Sequence, residues 1–328
     1  QVKVADKSQN LEEIQEQRKQ KLLNIFEQFN PDCLMTEGYP FNKHQFEFES
    51  IPLLERIKEQ GGKTKVVCSL RDIVMAKHYQ NRAEVTEKIC QLMNQYFDLL
   101  LVHSDPKFHN LEESFAKVKE IKIPIRYTGY VAQSPPEYTE ITEEDATNLK
   151  LKKPMILISV GGGQLGHNLL EAIIETSPII EKLIPHHLHV FTGPFIPNDK
   201  FLQLRKASAN LFNLTLRQYT PNLLSYMKKA DISISLCGYN TTMNILKIGV
   251  NSMIIPSNKD WEQKIRAEKL EKLGLTELIS SHDLTPHNFA QKIVANLHKK
   301  TNVNSIDLKG AEKTSLFLQK LLYSKVAA

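Results

Sequence analysis

The sequence predicts an α/β protein built from two Rossmann-like, doubly wound domains, and three observations carry that prediction. Short apolar runs of strand length alternate with amphipathic helical stretches through most of the chain. A polar, proline-bearing stretch, Ala132 to Lys153, divides the alternation into two halves and reads as the linker between domains. At 328 residues and 41% hydrophobic content, the chain is long for one domain and can bury two cores. The expected division is residues 1–131, a linker at 132–153, and a second domain over 154–328.

The first half opens without an initiating Met, as a fragment or processed chain would, on an amphipathic helix. Leu11, Ile14, Leu22, Ile25, Phe26 and Phe29 fall at helical spacing, and Asn30-Pro31 stops it. A short strand from Cys33 to Met35 empties into a loop with Glu37, Gly38 and Pro40. A helix through Phe48, Ile51, Leu54 and Ile57 ends at Gly61-Gly62. Lys65 to Cys68 is a strand running into SLRD; Val85, Ile89, Leu92 and Tyr96 mark a helix; Leu99 to Val102 and Ile125 to Thr128 are the remaining strands.

The second half begins on a buried strand, Met155 to Val160, with Leu169, Leu170, Ile173 and Ile174 giving the helix that packs back onto it. Strands follow at Leu188–Thr192, Leu214–Leu216, Ile232–Ser235 and Met253–Ile255. Between and after them come helices around Phe201–Leu204, Leu223–Met227, Met243–Ile248 and Ile265–Leu273. Two terminal helices, Phe289–Leu297 and Leu316–Leu322, are expected to close this domain.

Composition narrows the function. No run approaches the ~20 apolar residues of a membrane helix, and QVKVADKSQN lacks the apolar region of a signal peptide, so the protein reads as cytoplasmic, with peripheral contact at a membrane left open. Cys33, Cys68, Cys90 and Cys237 form no CxxC pair, which implies neither disulfide nor zinc. Residues 1–150 carry 20 Lys and Arg against 24 Asp and Glu, and the remainder 22 against 13, so the second half is the anion-binding half. Dispersed lysines on solvated helices are the commoner source of such a bias.

The chemistry of the second half centres on GGGQLG, between the first strand and the first helix. Glycines there let a ligand approach the backbone and aim N–H groups at it, while the helix start adds partial positive charge; the turn suits phosphate. The spacing is neither the dinucleotide GxGxxG nor the P-loop, since His167 and Asn168 follow the last glycine. A tight turn with no ligand is the alternative. HHLH (His186, His187, His189) does not read as a metal site, because successive strand residues point to opposite faces.

ADISISLCGYNTTMNILKIGVNSMIIP followed by EQKIRAEKLEKLGL, with ISVGGGQLG and HVFTGP, resembles the donor domain of the MurG-like glycosyltransferases. With TEGYPF and CSLRDI the chain is most similar to an uncharacterised branch of predicted glycosyltransferases in that superfamily. The resemblance implies the GT-B architecture and transfer of sugar from a nucleotide donor, UDP-linked by this reading, to an acceptor hydroxyl on a lipid-linked or small molecule. The nucleotide sugar is a substrate, and neither a further cofactor nor nucleic acid is implied. By position, Gly161, Gly162, Gly163, Gln164 and Gly166 resemble the loop at the diphosphate, and Gly238, Tyr239, Asn240 and Thr241 the second phosphate-side loop. Arg217 to Tyr219 fall where backbone groups hold the base, and Glu262 with Gln263 where side chains hold sugar hydroxyls. Asn244 stands where the family usually places a ribose-binding Glu. Such proteins also begin with a strand and a glycine/histidine loop that this chain does not show, so the first domain is expected to lack its opening strands.

An inverting, metal-independent transfer needs a base at the acceptor hydroxyl and stabilisation of the departing diphosphate. Glu37, Asp72 and His103, each just after a strand of the first half, are the candidate bases. Their structural alternatives are a loop cap, an Arg71-Asp72 ion pair and a satisfied strand-end histidine. Trp261 either lines the sugar pocket or packs. Two other readings remain: a nucleotide-sugar hydrolase or epimerase on this scaffold, and a non-catalytic donor-binding subunit completed by a partner.

Overall fold

The computed structural model describes residues 10–74, 81–134, 141–151, 154–257, 260–299 and 306–323. It divides into two compact units, one comprising Gln1–Val131 with Ile306–Ala328, the other Ala132–Ser305.

The first unit starts with α1 (Leu11–Phe29), capped by the Asn10 side chain on the N–H of Glu12 and ended by Asn30 in the left-handed region (φ 40°) ahead of Pro31. Four parallel strands follow in sequence order across the sheet: β1 (Cys33–Glu37), β2 (Lys65–Arg71), β3 (Leu99–His103) and β4 (Ile125–Tyr127). Helices α2 (Glu47–Glu59) and α3 (Arg82–Tyr96) supply the crossovers. All five residues of β3 are buried, which is why Leu99 to Val102 read as an unbroken apolar run, and the strand continues one residue further to His103. Burying each of its leucines contributes about 1.5–3 kcal/mol, more than a surface ion pair gives. Among the described residues β1 pairs with β2 alone, and Met35 on it is exposed.

The second unit begins before its sheet. The stretch read as a linker carries α4 (Glu143–Leu149), whose Thr142 side chain accepts from the N–H of Asp145, and Asp145 has no exposed surface. A segment with a buried charge of its own is part of the domain, which corrects the linker expectation over the described part of 132–153. Residues 135–140 and 152–153, including the paired prolines, lie outside the described residues. Then come β5 (Met155–Ser159), α5 (His167–Leu183), β6 (His187–Phe191), α6 (Asn198–Ala207), β7 (Leu214–Arg217), α7 (Leu223–Lys229), β8 (Ile232–Leu236), α8 (Tyr239–Ile248), β9 (Ser252–Ile255), α9 (Trp261–Lys272), β10 (Glu277–Leu278) and α10 (Pro286–Asn296). The strands are parallel in the order β10-β9-β8-β5-β6-β7. Strand β10, two residues long, was not anticipated because it is too short to show periodicity.

The two faces of this sheet differ. Ile156, Ile158, Leu188, Val190, Ile232, Ile234 and Met253 join α5 and α10 residues in one aliphatic core. The register sets Leu157 beside His189 and Ser233, and Ser159 beside Phe191 and Ser235, on the other face. There His189, Ser233, Ser235 and Ser252 are buried, and their side-chain polar atoms have no hydrogen-bond partner among the described residues.

The last helix, α11 (Gly310–Tyr323), does not close the second unit as its sequence position suggested. Phe317, Leu318 and Leu321 pack on Val67, Leu99 and Leu101 of β2 and β3. The Asp307 N–H donates to Asp105 at 2.9 Å, and the Asp307 carbonyl accepts from Tyr130 at 2.8 Å. The face of β2 and β3 opposite α2 and α3 is apolar and needs a cover, and α11 provides one. No helix among the described residues is long and apolar enough to cross a membrane.

Candidate active site

Strand order in the second unit runs one way from β5 through β6 to β7 and the other way through β8, β9 and β10, so it reverses between β5 and β8. In open α/β sheets a crevice forms at the carboxyl ends of the strands flanking such a reversal. GGGQLG follows β5 and CGYNTT follows β8, so both loops stand at that crevice.

The glycines of the first loop divide by role. Gly161, Gly163 and Gly166 have φ of 68°, 92° and 85°. A Cβ on Gly163 would lie 2.5 Å from the Thr192 carbonyl, and one on Gly193 would lie 2.4 Å from the Gly161 carbonyl. Gly163 and Gly193 are thus where the GGG and FTGP loops close on each other, joined also by the Phe195 N–H on the Gly162 carbonyl at 2.8 Å. His167 Nε2–H donates to the Gly163 carbonyl at 2.9 Å, fixing the loop to the start of α5. Gly161, Gly162 and Gln164 are exposed; a Cβ on Gly161 would meet nothing within 4 Å, and one on Gly162 only the Phe195 ring at 3.5 Å. The loop therefore presents bare backbone outward on a rigid base.

The second loop ends at Gly238, the N-cap of α8, where an added Cβ would also meet nothing within 4 Å. Asn240 is exposed; Tyr239 and Thr241 are half-buried. The N-cap residues of α5 and α8, Gly166 and Gly238, have no side chain with which to cap the first turn. Two uncapped helix starts, each entered through an open glycine, leave backbone N–H groups and two positive dipole ends for an anion.

Of the remaining expected donor residues, Arg217, Asn244, Glu262 and Gln263 have partners within the protein. Arg217 ends β7 with its guanidinium on Asp145 (2.5 Å) and over the Phe191 ring, while its carbonyl accepts from Thr192. Asp145 also accepts from Tyr226 (2.8 Å), Asn222 (2.9 Å) and Thr220 (3.0 Å). Burial works to raise the Asp145 pKa, but the hydrogen bonds from Asn222, Tyr226, Arg217 and Thr220 outweigh it and hold the carboxyl far below the usual range. Tyr219, 60% exposed, projects from the loop so anchored. Asp145 was missed in the sequence; the pattern Thr142-x-x-Asp145, a helix-start signature, was the available signal.

At α9, Asp260 caps the helix through the N–H groups of Glu262 and Gln263. Glu262 pairs with the fully buried Arg266, which also donates to the Cys237 carbonyl. Gln263 Oε1 accepts from the Ser257 N–H at 3.1 Å and its Nε2–H donates to Asp260 at 3.0 Å. Asn244 is half-buried with its Oδ1 accepting from the Gln133 N–H at 3.3 Å. A cleft of about 570 Å³ opens between the start of α5 and α9, lined by Gly166, Asn168, Leu236, Pro256, Trp261 and Lys264. Trp261 is 52% exposed on its wall. His186 takes Ile184 and Asn213 as partners and His187 takes Thr215, so these two rings serve the fold.

In the first unit, Glu37 takes Lys43 at 2.8 Å and Arg71 at 2.9 Å, and the Lys43 hydrogen bond chiefly lowers its pKa. Asp72 has no exposed surface. His103 is 8% exposed, bonded through Nε2 to Ser69 at 2.7 Å and through Nδ1 to Thr128 at 2.9 Å. Burial, and secondarily the Arg71 charge, pushes its pKa down.

Comparison with known proteins agrees with this geometry. The family model described as glycosyltransferase family 28 C-terminal domain matches residues 155–319. A UDP-N-acetylglucosamine–N-acetylmuramyl-(pentapeptide) pyrophosphoryl-undecaprenol N-acetylglucosamine transferase of Prochlorococcus marinus (strain NATL2A) is 25% identical over 172 residues, 50% of this chain and 47% of its own length. An uncharacterised glycosyltransferase of Methanopyrus kandleri is 22% identical over 203 residues, 60% of this chain and 55% of its own. The matched stretch thus spans about half the length of these relatives. Among solved structures, a protein of Listeria monocytogenes assigned as a UDP-N-acetylglucosamine 2-epimerase overlays with a TM-score of 0.66 at 14% identity, covering 98% of this chain and 83% of its own. MurG of Acinetobacter baumannii overlays at 0.51 and 14% identity, covering 97% and 83%.

Proposed function

This chain belongs to the glycosyltransferase family 28 C-terminal domain family, with the GT-B fold of the MurG-like superfamily, and on that premise we propose that it transfers a sugar from a UDP-linked donor to an acceptor hydroxyl with inversion. One observation carries the proposal: two uncapped helix starts, α5 and α8, entered through open glycines, flank the reversal of strand order. A diphosphate set there is met by backbone N–H groups of Gly161 to Gln164 and of Gly238 to Thr241 and by both helix dipoles. Together these stabilise the charge that develops on the leaving group without requiring a cation. The loop anchored by Asp145, Arg217 to Tyr219, holds the base, and Asn244 reaches the ribose.

The first unit supplies the acceptor side. Of its candidate bases, Glu37 is held anionic by two cations, which weakens it as a proton acceptor, and Asp72 is enclosed; His103 is retained. The acceptor takes either of the two chemistries the family resemblance implies, a lipid-linked or a small-molecule hydroxyl.

The test is calorimetry with UDP, followed by product analysis of UDP-N-acetylglucosamine incubated with glycerol, with and without EDTA. A glycosylated product of inverted anomeric configuration, formed in EDTA, is the expected result. Consumption of the nucleotide sugar with no dependence on the alcohol would indicate hydrolysis, and appearance of a second nucleotide sugar would indicate epimerisation; each overturns the transferase reading.

A further inference from the structure

We propose that Ser69 is the group that meets the acceptor hydroxyl in the first unit, and that it relays the proton to His103 behind it. The inference rests on the transferase reading above and concerns a residue which that reading does not use.

Strands β2 and β3 are parallel neighbours, with Ser69 beside Leu101 and Arg71 beside His103. Ser69 and His103 therefore lie on one face near the carboxyl end of the sheet. Helix α11 packs on Val67, Leu99 and Leu101, so its cover reaches the rung that Leu101 shares with Ser69 and leaves Ser69 half-buried. From Ser69 a hydrogen-bonded chain runs inward: Ser69 Oγ to His103 Nε2 at 2.7 Å, His103 Nδ1 to Thr128 Oγ1 at 2.9 Å, and Thr128 Oγ1 to the Gly129 carbonyl at 2.7 Å. Exposure falls along it, from half-buried Ser69 to His103 at 8% to Thr128 at 0%.

The direction of every proton in this chain follows from its inner end. The Gly129 carbonyl can only accept, and Thr128 has a single hydroxyl hydrogen, so Thr128 donates to Gly129 and accepts from His103 Nδ1–H. In the neutral imidazole Nε2 is then bare, and Ser69 must donate to it; the tautomer is assigned from these partners. Ser69 thus turns its hydrogen inward and its oxygen lone pairs outward, the arrangement of a hydroxyl ready to receive a proton as it gives one up. His103 keeps little contact with solvent of its own, so a base at this position acts through Ser69. The charged groups nearest the pair are Arg71, which opposes a cation on His103, and Glu37, which holds Arg71 and Lys43.

The step balances as follows. The acceptor oxygen forms a bond to the anomeric carbon, whose bond to the diphosphate oxygen breaks with its electron pair leaving on the diphosphate. The acceptor proton passes to Ser69 Oγ as the Ser69 proton passes to His103 Nε2. The resulting imidazolium, bonded to Ser69 and Thr128, returns its proton to solvent after product leaves.

Turnover of UDP-N-acetylglucosamine with glycerol, UDP binding by calorimetry, and long-range proton–nitrogen NMR of His103 test the relay together. Ser69→Ala is expected to lower kcat about 100-fold with UDP Kd and Tm unchanged, and Ser69→Thr, which keeps the hydroxyl, to restore most of it. His103→Gln should match Ser69→Ala, with the double variant no worse than either, because the two act as one unit. The NMR spectrum should show His103 protonated on Nδ1. Wild-type kcat in Ser69→Ala, additive losses in the double variant, or an Nε2–H tautomer would each overturn the relay. A wild-type protein that binds UDP but forms no glycerol adduct overturns the transferase reading instead, and the relay falls with it.

Discussion

The guanidinium of Arg266 lies over the ring of Tyr239, 5.5 Å from its centroid, and has no exposed surface. Through the Cys237 carbonyl and Glu262 the same side chain ties α9 to the loop that opens α8. Arg266→Ala should therefore destabilise the second unit by about 3–5 kcal/mol, as removal of one partner from a buried charged pair does, and should weaken UDP binding as well. Urea denaturation and calorimetry on the one variant measure both; loss of stability with full UDP affinity would separate Arg266 from the phosphate loop.

The glycines of the first loop should behave oppositely on substitution. Gly162 lies outside the left-handed region with only the Phe195 ring near, so Gly162→Val should fold and lose UDP binding by occupying the space of the phosphate. Gly163→Ala should lower Tm, since its Cβ meets backbone at 2.5 Å with φ at 92°. Circular dichroism melts and calorimetry distinguish the two.

Asn244 accepts from the Gln133 N–H, which leaves its amide N–H groups to donate. Asn244→Ala should weaken UDP by about 0.5–1.5 kcal/mol, one neutral hydrogen bond. Asn244→Glu should bind more tightly, because its bonds to ribose hydroxyls would be charge-assisted. Equal affinities in all three proteins would place the ribose elsewhere.

Acid should act on the second unit in two windows. Burial pushes His189 down to about 4, with His187 and Arg217 adding to it. A histidine with a lowered folded pKa is protonated more readily unfolded, so stability declines as pH falls from about 6.5 toward about 4. Between pH 7 and pH 5 this amounts to about 2 kcal/mol. His189→Leu should abolish that decline in urea titrations at the two pH values, and it removes two buried ring nitrogens that have no hydrogen-bond partner among the described residues.

Asp145 governs the lower window. Its folded pKa is depressed, so its contribution is complete well above 3.8 and is lost as pH falls below that value. Asp145→Ala at pH 7 should cost about 3 kcal/mol, because four donors lose a buried acceptor. Denaturation at pH 7 and pH 3 should show the gap between variant and wild type narrowing in acid.

Most strands were legible because parallel strands buried on both faces are continuous apolar runs, and MILIS and LLLV can be little else. The two glycine loops were legible because residue type and position coincide there. The inner partners were not. Nothing in EEDATN marks Asp145 as buried, since its four donors come from residues 72 to 81 positions away. Glu262 and Gln263 read as exposed hydroxyl binders, while the structure gives Glu262 to Arg266 and Gln263 to Ser257 and Asp260. Ser69 passed as the first residue of the loop after a strand because its meaning depends on a neighbour 34 positions on. Long-range pairing of polar groups has no period, and periodicity is what a single sequence displays.

The return of α11 to the first unit also dictates an order of assembly during synthesis. Residues 132–305 form one unbroken segment and can complete their own core as they emerge, whereas the β2 and β3 face must wait for Phe317, Leu318 and Leu321. Until then Val67, Leu99 and Leu101 are uncovered on a nascent chain, a natural binding site for a chaperone. A stop codon introduced after Ser305 should accordingly yield a protein with its donor unit folded and its first unit prone to aggregate, although none of the expected donor-binding residues would have been removed.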